Sequence, residues 1–201
     1  PIAIPDFEAI GVDLATAAEI SSIVKADLES TGLFTVTDES AFIQKDLNIE
    51  VAPRFADWKI IKTDALVVGS VEQITRDGNP LLRGSVRMWD VYGEELMRFE
   101  DSSGRQVSGR RFTTTPEDLR RIAHKISDAI YTRLTGESGY FDTRIVYIAE
   151  NGPKNERVKR LAIMDADGAN VKYLTSGKFT VLTPRFSPEA QQITYMSYEG
   201  G

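Results

Sequence analysis

The feature that constrains this chain most is the loss of helical periodicity at Gly136. Just before it, Leu119, Ile122, Ala123, Ile126, Ile130 and Leu134 keep one apolar stripe at helical spacing. Thr115 stands ahead of that stripe as a capping residue, Pro116 suits the first helical position, and Glu117 and Asp118 face the positive helix end. Gly136 closes the helix as the residue beyond its end. Past it, Arg144 to Ala149, Arg160 to Met164, Val171 to Leu174 and Gln192 to Met196 are short strand-like runs separated by turns. The chain is therefore read as two domains, 1–139 and 140–201. The second is about the size of one propeller blade, at roughly 40 to 45 residues per blade, and a lone blade cannot cover both of its faces.

In the first domain, helical and strand patterns alternate. Ile2 to Phe7 reads as a strand, and Thr16-Ala17-Ala18-Glu19 has the spacing of a capping box that starts a helix. Ile20, Ile23, Val24 and Leu28 follow at helical spacing, with Gly32 beyond the C-cap. A short helix is predicted over Phe55 to Ile61. Ala65-Leu66-Val67-Val68 lacks alternation and predicts a strand covered on both faces. Asp77-Gly78-Asn79-Pro80 is a turn signal, and beyond it Leu82, Val86 and Met88 alternate with Arg83, Ser85 and Arg87 as in a half-buried strand. A further strand is expected near Leu96 to Phe99. The fold class expected is an α/β domain with helices packed on a mixed sheet, followed by an all-β segment of an incomplete β-propeller.

Charge separates the halves as well. Residues 1–139 hold 16 basic and 23 acidic residues, 16 − 23 = −7, whereas 140–201 hold 8 and 7, 8 − 7 = +1, which together give the net −6 of the whole chain. An acidic domain is a poor general binder of nucleic acid. The chain has no Cys, which excludes thiolate nucleophiles, disulfides and cysteine zinc sites. No apolar run approaches the roughly 20 residues of a membrane-spanning helix, so no membrane insertion is expected. Pro1 follows no basic stretch or apolar signal core, which reads as a processed or trimmed piece.

Residues capable of chemistry are few. His124 is the single histidine and reads as a surface or boundary position of the third helix, since one imidazole can be neither a dyad nor a set of ligands. Asp165-Ala166-Asp167-Gly168-Ala169-Asn170 offers oxygens, but its glycine falls at the fourth position and Ser176 stands where a calcium loop needs a bidentate Glu, so a hairpin turn is expected. Arg105, Arg110 and Arg111 form a basic cluster read as solvated, and the pairs Glu94-Glu95 and Asp38-Glu39 as exposed carboxylates. Trp58 and Trp89 have apolar flanks and are expected in the core. No phosphate loop and no Gly-x-Ser-x-Gly elbow occurs. No catalytic residue, metal site or cofactor is expected.

Three stretches resemble the TolB family, periplasmic proteins of the Tol–Pal system of Gram-negative bacteria. Ile20-Ser21-Ser22-Ile23-Val24-Lys25-Ala26-Asp27-Leu28-Glu29-Ser30-Thr31-Gly32-Leu33-Phe34 is similar to the first helix of the family's N-terminal domain and its exit. Trp58, then Asp64-Ala65-Leu66-Val67-Val68-Gly69-Ser70-Val71 and Met88-Trp89-Asp90-Val91-Tyr92, resemble its core strands. Leu134-Thr135-Gly136, Gly139, Phe141 and Thr143-Arg144-Ile145-Val146-Tyr147 resemble its junction into the propeller. Thr183-Pro184-Arg185-Phe186-Ser187-Pro188 is similar to the recurring blade signature, although Glu189-Ala190 replaces the usual Asp-Gly and puts the tight turn there in doubt.

The resemblance implies an N-terminal domain like anticodon-binding domains in fold, a six-bladed propeller of which this sequence holds about the first blade, and a periplasmic monomer. It implies a non-catalytic adaptor that links the inner-membrane Tol complex to the outer-membrane lipoprotein Pal during envelope constriction and maintenance. In the family, Pal is bound through the propeller, here mostly absent, and TolA through a segment preceding the strand at Ile2. The junction Gly136, Gly139, Phe141, Thr143, Arg144 and Tyr147 would couple the domains, with positive φ at Gly136, Phe141 packed between the two parts and Arg144 fixing the start of the propeller. Two alternatives stay open: a fragment of a propeller-associated hydrolase, and a nucleic-acid-binding module by analogy with anticodon-binding domains.

Overall fold

A computed structural model describes residues 1–199. Contacts divide the chain into two compact units, Pro1–Phe141 and the residues from Asp142 onward.

In chain order the first unit comprises β1 (Ile2–Ala3), β2 (Glu8–Ile10), α1 (Leu14–Ser30), α2 (Phe55–Ile60), β3 (Ala65–Arg76), β4 (Asn79–Asp90), β5 (Glu95–Met97), β6 (Phe99–Glu100), β7 (Gln106–Val107), β8 (Arg110–Thr114) and α3 (Leu119–Thr135). The long β3–β4 hairpin is the spine of a mixed six-stranded sheet. Both residues of its turn, Asp77 and Gly78, have positive φ (51° and 77°), the geometry that matches strand twist in a two-residue hairpin loop. β1 and β2 run parallel to β3 on one side, and β5 and β8 run antiparallel to β4 on the other.

Side chains alternate along β3. Ala65, Val67 and Val71 join the main core with α1 and α3, while Leu66 and Val68 join a second core with Phe42, Ile49 and Trp58. The strand is thus covered on both faces, as its unbroken apolar run predicts. α3 comes close to β4 because Gly84 has no side chain: a Cβ there would lie 2.4 Å from Ile122 Cγ2. Trp58 is buried, its indole N–H donating to Gln44 Oε1 (3.2 Å). Trp89 is half-buried, edge-on to Phe55.

Several boundaries differ from the sequence reading. Of the strand expected over Ile2 to Phe7 only Ile2–Ala3 forms, as β1, ending ahead of Pro5, which has no N–H to continue a ladder, and β2 begins after the expected stretch at Glu8. α1 starts earlier than the capping box predicts, because Asp13 accepts the Thr16 N–H (2.6 Å) and takes the N-cap role. The strand expected at Leu96 to Phe99 breaks into β5 and β6. Pro116–Asp118 forms a 3₁₀ turn, so the α-helix proper begins at Leu119.

The second unit is all β. β9 (Arg144–Asn151), β10 (Val158–Asp165) and β11 (Lys172–Tyr173) form an antiparallel sheet, and β12 (Thr180–Phe186) pairs with β13 (Ile193–Tyr198). β12 was not foreseen as a strand. It contains Pro184, and its pairing with β13 breaks between Leu182 and Arg185, where Thr183 takes a φ of 49°. The turn doubted at Glu189-Ala190 is present: Ser187 Oγ accepts the Ala190 N–H (3.2 Å), and Ser187 N–H donates to Gln192 O (2.8 Å). Residues 165–170 form the expected hairpin turn, with Gly168 at φ 87° and its N–H on Asp165 O (2.9 Å). Among the described residues no helix is long and apolar enough to cross a membrane.

Candidate functional site

The residues singled out at 136–147 divide between the two units. Gly136 ends α3 in the left-handed conformation (φ 79°), its N–H donating to Thr132 O (2.9 Å). The chain then folds back along its own helix. Gly139 lies against Asp128, where a Cβ would come within 2.5 Å of Asp128 Cα, and its N–H donates to Thr132 Oγ1 (3.1 Å). Phe141 N–H donates to Asp128 Oδ1 (2.7 Å).

The Phe141 ring is 4% exposed and belongs to the main core of the first unit. It stacks on Tyr140 (4.8 Å between centroids) and meets Tyr131 edge-on (5.9 Å). The segment is a strap fastened to α3, with its aromatic anchor inside the domain. Burial first, and the neighbouring Glu137 carboxylate after it, raise the Tyr131 hydroxyl above its ordinary titration range.

Thr143, Arg144 and Tyr147 belong to the second unit. Thr143 O accepts the Ala166 N–H (3.0 Å), Arg144 opens β9 opposite Asp165, and Tyr147 pairs with Ala162. Arg144 Nε lies 4.0 Å from Asp165 Oδ1, and Asn170 Nδ2 donates to the other oxygen of that carboxylate (2.6 Å). Asp165 therefore ties the first strand of this unit to the turn between β10 and β11.

The sequence reading misplaced His124. It is not a surface residue: it is 3% exposed between α1 and α3, and its Nδ1–H donates to Asp27 Oδ2 (2.8 Å). Ser127, fully buried one turn further on, donates its hydroxyl to the same oxygen (2.7 Å). In a nucleophilic triad the imidazole stands between serine and carboxylate and takes the serine proton. Here the carboxylate stands between the other two, so the arrangement clasps two helices and leaves the serine unactivated. Helical spacing showed the positions of His124 and Ser127 on α3. It could not show that a carboxylate 97 residues earlier faces them.

The basic cluster is dispersed. Arg105 pairs with Asp101, Arg110 donates to Glu100 O and lies over the Phe112 ring, and Arg111 is exposed on β8. Glu94, between β4 and β5, pairs with Lys59 of α2. Asp38 caps a short turn through the Ser40 N–H (2.8 Å), and hydrogen bonding from Ser40, its side chain first and its backbone second, lowers the Asp38 pKa.

Residues 1–97 match the family model for the TolB amino-terminal domain, and residues 131–201 match that for the TolB beta propeller domain. The crystal structure of TolB from Acinetobacter baumannii superposes with a TM-score of 0.77 at 25% identity, covering 99% of this chain and 44% of that one. Looser matches are the PelC dodecamer from Paraburkholderia phytofirmans (16% identity, TM-score 0.40, 66% of this chain and 85% of that one) and lipoprotein GNA1162 from Neisseria meningitidis (13%, 0.38, 57% and 78%). The chain spans less than half the length of the Acinetobacter protein. Its α/β unit carries the TolB amino-terminal domain and its strands the start of a TolB propeller, so the chain belongs to the TolB family.

Proposed function

We propose that the protein is a non-catalytic adaptor of the Tol–Pal system in the periplasm, joining the inner-membrane Tol complex to Pal at the outer membrane. The observation that carries this reading is the succession, in one chain, of a match to the TolB amino-terminal domain and a match to the TolB propeller domain. Pal is assigned to the propeller side and TolA to the amino-terminal side. The segment holding Gly136, Gly139, Phe141, Thr143, Arg144 and Tyr147 is assigned the coupling between them. A strap anchored in one domain by Phe141 and opening the first strand of the next at Arg144 suits that role, since a shift at either end reaches the other through few rotatable residues.

The buried clasp supports the non-catalytic reading, because its serine faces a carboxylate and lies out of reach of solvent. The net −7 of residues 1–139 weighs against a nucleic-acid module.

The test is cross-linking in cells of the source bacterium carrying a tagged chromosomal copy. Pal and TolA are expected among the cross-linked partners, and deletion of the gene is expected to release periplasmic enzymes and sensitise cells to detergent. A deletion strain with an intact envelope and no Pal or TolA in the cross-links would overturn the proposal.

A further inference from the structure

The sheet face opposite α1 and α3 carries a trough of about 640 Å³ within the first unit. Its floor follows from strand register. Glu8 on β2 pairs with Ser70 on β3, Ser70 with Ser85 on β4, and Ser85 with Arg111 on β8. Residues directly opposite one another point to the same face, so Glu8, Ser70, Ser85 and Arg111 form one row across four strands.

The two walls are closed by ion pairs. Arg83 donates to Glu72 (3.1 Å) on one side, and Arg87 donates to Glu50 (2.7 Å) and Ile49 O (2.9 Å) on the other. The remaining charges nearby are also engaged: Asp101 in its own turn and Arg110 on Glu100 O and Phe112. Among the described residues, the side chains of Glu8 and Arg111 have no hydrogen-bond or ion-pair partner. Neither has the hydroxyl of Ser70, although Ser70 is 5% exposed and faces into the trough.

A serine hydroxyl open to the trough, between one free carboxylate and one free guanidinium, describes a site with a polarity. We propose that this trough binds an extended peptide segment of mixed charge, with a basic side chain at Glu8 and an acidic one at Arg111, five residues apart counting both ends. The spacing follows from geometry. Three strand spacings of about 4.8 Å separate Glu8 from Arg111, about 14 Å, and an extended chain covers about 14 Å in four steps of about 3.4 Å. Residues i and i+4 of an extended segment also lie on the same side. The middle residue then sits over the serine pair, where Ser70 donates to a peptide carbonyl. The segment crosses the strands, so it adds no strand to the sheet.

The test is amide-detected NMR titration of the 201-residue chain with three blocked peptides: acetyl-Lys-Thr-Gly-Thr-Glu-amide, and the same peptide with Lys at both ends or Glu at both ends. The mixed peptide is expected to shift Ser70 and Ser85 and to bind at least about threefold more tightly than the other two, the scale of exposed ion pairs. Arg111→Glu should transfer the preference to the Lys–Lys peptide, and Glu8→Lys to the Glu–Glu peptide, a switch that loss of structure cannot mimic. Glu8→Gln and Arg111→Gln remove one charge without reversing it and should erase the preference for the mixed peptide. Equal binding of all three peptides, shifts that map away from Ser70 and Ser85, or variants that keep the original preference would each overturn the proposal.

Discussion

The two units bury their side chains to very different degrees. In the first, both faces of β3 are covered, and the main core runs from Ile2 through Ile20, Val86 and Ile126 to Phe141. In the second, the fully buried apolar residues among those described are Leu161, Ala162 and Val181, while Phe186, Tyr195, Met196 and Tyr198 on β12 and β13 are more than 40% exposed. A sheet flanked by helices closes its own core. A propeller blade presents both faces to neighbouring blades and depends on them for cover. Stability should therefore reside in the first unit, and the comparison can be broken by mutation.

The largest effect is expected from Ile126→Ala, which empties a fully buried position between α3 and the sheet. The loss should be about 2–5 kcal/mol, read as a lower urea midpoint for the first unit. Met196→Ala, at 49% exposure, should change stability by no more than about 0.5 kcal/mol. Equal losses from the two would refute the contrast.

Where the first unit ends can be tested in the same way. A chain cut after Phe141 should unfold cooperatively. One cut after Gly139 loses the Phe141 ring from the core and the Phe141 N–H bond to Asp128, and should be less stable by about 3 kcal/mol. If the two fragments melt together, the strap contributes nothing to the domain.

The clasp between α1 and α3 comes next. Asp27→Ala removes the acceptor shared by His124 and Ser127, and about 1–3 kcal/mol of stability should go with it. Asp27→Asn keeps one oxygen as acceptor and should lose less. An Asn variant as damaged as the Ala variant would mean that charge, more than hydrogen bonding, holds the helices.

How much of this was legible depended on how local the cause was. The Asp77-Gly78 turn, the double cover of Ala65 to Val68 and the positive φ of Gly136 follow from neighbouring residues, and the sequence reading found them. The Asp27–His124 contact joins two helices far apart in the chain, and a lone histidine beside Ala123 gave no sign of its partner. The Glu8–Ser70–Ser85–Arg111 row was invisible for the same reason, since it needs the registers of four strands at once. β12 escaped because Pro184 and the break at Thr183 disrupt its pattern. The start of α1 was missed because two cap signals overlap and the charged one, Asp13, is nearer the helix end.

The smallest expected effect sharpens the contrast electrostatically. Asp101, in the loop between β6 and β7, accepts from the Ser103 hydroxyl (2.6 Å) and from the backbone N–H groups of Ser103 and Arg105 (2.9 and 3.0 Å), and these bonds lower its pKa from 3.8 to about 2. Glu150 on β9 is lowered below its ordinary 4.5 first by Lys159 (2.9 Å) and then by Arg157 (2.7 Å). Each carboxylate titrates lower folded than unfolded, so each stabilises its unit above the ordinary value and loses that contribution as pH falls through the folded one. For Asp101 the window runs from about pH 4 to about pH 2. The causes differ, however, because Glu150 depends on exposed charges that salt screens, whereas Asp101 depends mainly on neutral donors held in a tight turn. Raising the salt concentration should move the Glu150 midpoint up toward its ordinary value and leave that of Asp101 nearly fixed, as followed by carboxyl-carbon NMR. If both midpoints move equally, Arg105, whose Nε lies 3.5 Å from Asp101 Oδ2, outweighs the turn.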